Sequence, residues 1–288
     1  MMKPEDWCFA SGAAVAREAA LLPVRAIEDL ASLAPQEVSN RLARTWFGPA
    51  EPLLQFDRLA RERREKELEY FEKVSPSRIL VDLLRLGLAA DRLRIGLSGV
   101  ADGAGGAELA AALQKLALRA GDFQPQFLEQ FRPPLPEPQP SARLAAALLI
   151  DSAELLLSSS LAAGEESLAA FSEARTRTYV AKVSLRAVRQ NVPKELLANF
   201  FFRGALLTGD ARDFLQEYRE PAALRLYPPG CAPGQEEAFL LSAIDDSKGQ
   251  PFSAGVVLRY LLGYLDQERR LRRAVYACLG KIPAGEAA

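Results

Sequence analysis

An all-α protein is what this sequence predicts, and three observations carry that prediction. Leu and Ala together outnumber Val, Ile and Thr about four to one. Small and straight-chain residues lose little freedom in a helix, whereas β-branched ones favour strands. Apolar residues recur at spacings of three and four, most clearly near the C-terminus, which is the mark of one buried helix face. Prolines such as Pro23, Pro35, Pro76 and Pro193 stand at the ends of these stretches, where they start or stop helices.

Taken in order, Trp7–Leu22 reads as the first helix, with small residues at Ala10, Ala13, Ala14 and Ala16 suited to close helix packing. Two short helices follow, Val24–Leu33 and Gln36–Trp46. Glu51–Lys73 is a long polar helix in which Glu62 and Lys66 stand at i,i+4, a pairing worth a few tenths of a kcal/mol. Its charged run reads as a solvated face, because the acids neutralise the arginines. The next helix is Arg78–Leu97, closed by the Gly-rich loop at 99–106. That loop lacks the Gly-Lys-Ser/Thr of a phosphate loop and reads as a linker.

Helices at Glu108–Ala120 and Phe123–Phe131 precede residues 132–140, a Pro-rich spacer that is extended and stiff. Ala142–Ser159 is an apolar helix with Asp151 in its middle. Further helices are expected at Ala162–Val188, Lys194–Leu207, Ala211–Tyr218, Ala222–Tyr227 and Gln235–Ala243, and the acids Asp245 and Asp246 fall in a solvent-facing turn.

The last stretch, Phe252–Lys281, has no internal Pro, and as one helix it would run roughly 40 Å. Leu261, Leu265, Leu271, Val275, Cys278, Leu279 and Ile282 form its apolar stripe. Glu268 falls inside that stripe, with Arg269, Arg270, Arg272 and Arg273 beside it. A carboxylate on an apolar face is costly unless paired. Arg272, one turn on, is a near partner, and an arginine from another helix is equally open.

Bulk properties narrow the function. The net charge of −1 gives no global field for nucleic acid or an anionic membrane. No apolar run approaches the ~20 residues needed to span a bilayer, and the opening residues lack a basic-then-apolar signal pattern. Cys8, Cys231 and Cys278 are scattered, which argues for a reducing compartment and against a disulfide framework or zinc site. The chain has no histidine, so Ser-His and Cys-His nucleophile pairs are excluded. The expectation is a non-enzyme without a cofactor, nucleic-acid ligand or small-molecule substrate.

The final stretch resembles the last helix of the C subunit (also called d) of V-type and archaeal A-type rotary ATPases. That family's layout is an apolar run, a glutamate, a polar turn, a second apolar run and Gly-Lys. The matching parts here are Val256–Leu262, Glu268, Arg269–Arg273, Ala274–Leu279 and Gly280–Lys281. Arg273 stands where the family usually has Asn. Trp7, Phe9, Arg17 and Leu21-Leu22 resemble its opening segment, and Ile150-Asp151 and Leu185-Arg186-Ala187 resemble parts of its second module. Ala89 and Arg92 replace a characteristic Asp and Asn, as do Arg177 and Val180 in the second module. Three long helices also end alike, at Arg94, Lys182 and Val275, about 90 residues apart, which suggests three related helical modules.

The resemblance implies three similar helical bundles arranged as a pseudo-threefold funnel, with modules at 1–99, 100–190 and 191–288. It implies a non-catalytic subunit that links the central rotor stalk to the membrane proteolipid ring in proton or sodium ion transport. The partners would be central stalk subunits of the D/F type and the proteolipid ring, at the cytoplasmic face of the membrane and peripheral to it. The structural polar cluster expected is Glu268 with Arg272 and Arg92. The alternative is an α-helical adaptor unrelated to rotary ATPases.

Overall fold

Each element follows from local sequence. In a computed structural model, residues 4–50, 52–99, 140–203, 206, 208–245 and 252–280 are described, and all regular structure among them is helical. The helices are α1 (Cys8–Glu18), α2 (Val24–Glu28), α3 (Pro35–Leu42), α4 (Phe56–Val74), α5 (Ile79–Gly99), α6 (Pro140–Ala162) and α7 (Glu166–Arg189). They continue as α8 (Lys194–Arg203), α9 (Gly209–Glu217), α10 (Glu220–Leu224), α11 (Glu236–Asp245) and α12 (Ala254–Cys278). The expected helices at 108–120 and 123–131 and most of the Pro-rich spacer at 132–140 lie outside the described residues.

The chain divides into two compact units. A terminal unit joins Met2–Arg78 to Ser247–Ala288, so it is built from both ends of the chain. A middle unit runs from Ile79 to Asp246. The module boundaries read from the sequence, at 99/100 and 190/191, remain expectations.

In the terminal unit, α12 is the central element and packs against α1, α2, the 3₁₀ turn Asp29–Ser32, α3 and α4. The absence of Pro lets it run 25 residues, about 37 Å. It stops before Gly280, whose φ of +68° ends the helix in the left-handed region that suits glycine. α4 stops at Val74 because Ser75 precedes Pro76 and is held extended, at φ −82° and ψ 143°. Ile27, Leu30, Val38, Leu42, Phe47, Leu53, Phe56, Leu271 and Val275 form the core where these elements meet. Phe47 stacks on Phe56 with centroids 4.8 Å apart, and the Arg63 guanidinium lies 4.1 Å over the Phe47 ring.

The turn after α3 places Trp46 and Phe47 inward and depends on Gly48, at φ +69°. A Cβ there would meet only Arg63 Nη2 at 3.7 Å, so space is not the constraint. Gly48→Ala is therefore expected to cost about 1 kcal/mol through backbone strain alone, read as a lower urea midpoint at unchanged slope. A neutral substitution would mean that the turn relaxes.

In the middle unit, α6 packs against α5, α7 and α8, and α7 also packs against α10 and α11. Leu148, Leu155, Val180, Leu185, Leu197, Phe200, Phe201 and Phe214 build its core. Thr208 caps α9, its hydroxyl accepting from the Ala211 N–H at 3.3 Å. Asn191, at φ 52°, turns the chain from α7 into α8, and Pro193 opens the new helix. Among the described residues no helix is long and apolar enough to cross a membrane.

Several expected helices are shorter than the pattern suggested. Trp7–Leu22 ends at Glu18, and Val24–Leu33 gives way to a 3₁₀ turn after Glu28. The reason is local: short segments tighten at their ends to satisfy orphan carbonyls.

Candidate functional site: a buried ion-pair network on the last helix

Tyr260, Tyr264, Glu268, Arg272 and Tyr276 recur every fourth residue and so form one ridge along α12. α4 supplies the opposing groups, in reverse order along its length. Tyr276 and Arg272 meet Asp57, Glu268 meets Arg64, and Tyr260 meets Glu67. The two helices are therefore antiparallel along this seam.

Glu268 is 2% exposed. Its Oε1 accepts from Arg64 Nη1 at 2.9 Å and from Arg272 Nη2 at 3.0 Å, and its Oε2 accepts from Arg64 Nη1 at 3.2 Å. Arg272 Nε donates in turn to Asp57 Oδ1 at 2.8 Å, and the Tyr276 hydroxyl donates to the other Asp57 oxygen. One carboxylate is thus held between two guanidinium groups, and a second carboxylate balances the charge. Glu268 and Arg64 are buried and are tolerated there because they are paired, whereas the Arg272 and Asp57 side chains, 34% and 45% exposed, reach solvent.

Next along the seam, Arg17 of α1 donates to both Glu67 oxygens at 3.0 and 2.7 Å and lies 4.0 Å over the Tyr70 ring. The Tyr260 hydroxyl donates to Glu67 Oε1 at 2.7 Å. Burial first, and the Glu67 carboxylate second, push the Tyr260 phenol far above its ordinary value. Tyr264 is raised too, by burial and then by Glu268. Both phenols stay protonated throughout the physiological range, which keeps Tyr260 a donor to Glu67.

Gln267, beside this ridge, ties down the opening segment. Its side-chain oxygen accepts from the Leu22 N–H at 3.0 Å and from Trp46 Nε1 at 3.1 Å, and its amide nitrogen donates to the Leu22 carbonyl. An apolar stripe passes over Gln267 because that residue is polar. Arg64 is hidden in the charged run of α4, which reads as a solvated face. The spacing of Phe56, Ala60, Leu68 and Phe71, all buried, was the available signal that α4 has an inner side.

Of the expected cluster, Glu268 and Arg272 are brought together. Arg92 lies within α5, and its side chain is outside the described residues. Glu62, placed opposite Lys66 by spacing, pairs with Arg58 at 3.2 Å. In the middle unit, Asp151 and Glu154 are also buried, at 6% and 3% exposure. Tyr179 donates to Asp151, and Arg175 donates to Glu154, from one side of α7.

Burial raises the Glu268 carboxyl above its ordinary 4.5, and Arg64 and Arg272 offset only part of that rise. A raised folded-state value means that the native protein binds this proton more tightly than the unfolded chain. The associated stability is present below about pH 4.5 and is lost as pH rises through the folded value. The stability of the wild type minus that of Glu268→Gln should therefore shrink from pH 4 to pH 7 in paired denaturant titrations. A gap that widens would show that the guanidinium groups outweigh burial.

The network locks α4 and α12 together and, through Arg17 and Gln267, ties both to the opening residues. The chain matches no known protein-family model, and no curated protein matches it.

Proposed function

We propose that this chain is a non-catalytic, C-subunit-like component of a V/A-type rotary ATPase that links the central rotor stalk to the membrane proteolipid ring. The observation that carries the reading is the last helix. Its apolar run, glutamate, basic turn, second apolar run and Gly-Lys exit follow that family's layout. α12 supports it by presenting the first three parts, and the fourth as far as Cys278, as one continuous helix with Glu268 held at the core of its unit. A part that transmits torque needs stiff helices and broad protein contacts, and a long helix pinned by charge-assisted hydrogen bonds resists sliding and bending. The funnel of three bundles, attachment at the cytoplasmic face and the role in proton or sodium transport belong to the same proposal. With a net charge of −1, attachment to the membrane would come through protein rather than through lipid charge.

The test is co-expression with D/F-type stalk subunits and a proteolipid ring, followed by size exclusion in mild detergent. Co-elution with both is the expected result. Elution of the chain alone would overturn the reading. The second reading, a helical adaptor, is favoured by the division into two compact units. It predicts co-elution with neither rotary component.

A further inference from the structure

We draw no further inference here: the strongest candidate, the apolar groove of the terminal unit beside the end of α12, lined by Pro35, Pro52, Leu53, Leu54 and Leu279, is an unpartnered face, and nothing in the structure shows what covers it.

Discussion

Glu268→Ala is expected to lower stability by about 3–5 kcal/mol, the cost of breaking a buried pair and stranding its partner. The stranded partner is Arg64, whose side chain is only 11% exposed and which donates to both Glu268 oxygens. Arg272 contributes less, because its side chain is 34% exposed and it keeps Asp57. Glu268→Gln keeps the shape and part of the hydrogen bonding, so its loss should be smaller. Urea denaturation of Glu268→Ala, Arg64→Ala and the double variant measures the coupling directly, and more than 1 kcal/mol is expected. Breaking an exposed pair such as Arg189–Glu220 serves as the comparison and should cost far less, because water screens it. A loss within about 0.5 kcal/mol for Glu268→Ala would mean that the side chain reaches water in solution.

A chain that stops before α12 is expected to lose the folded structure of residues 4–78 altogether. α12 buries Val257, Leu258, Tyr260, Leu261, Tyr264, Leu271 and Val275. At roughly 1.5–3 kcal/mol for each large apolar side chain, their burial contributes on the order of 10–20 kcal/mol. That matches or exceeds the ~5–15 kcal/mol by which whole domains are stable. Truncation also removes the partners of Arg64, Asp57 and Trp46. Hydrogen exchange read by mass spectrometry should show protection lost throughout 4–78 and retained in the core helices α6 and α7. Protection that persists in α1 and α4 would mean that the opening helices fold without their C-terminal partner.

By itself the sequence determined the helical class and much of the helix placement. Helix formation rests on local hydrogen bonds and side-chain entropy, and both are written in neighbouring residues. It also marked Glu268, because a carboxylate flanked by Leu265 and Leu271 at helical spacing has to share their face. Only the tertiary structure decided what that carboxylate meets. Arg64 sits in a run of charges on α4, and although its spacing from Phe56, Ala60 and Leu68 places it on their inner face, the acid it meets stays open until the partner helix is known. Gln267 is polar, so an apolar pattern passes over it, although it fastens both Leu22 and Trp46. The pairing of α4 with α12 joins residues about 200 positions apart, as Arg64 and Glu268 show. Contacts at that separation are selected by mutual burial and charge complementarity across the whole unit, which no local window of the sequence contains.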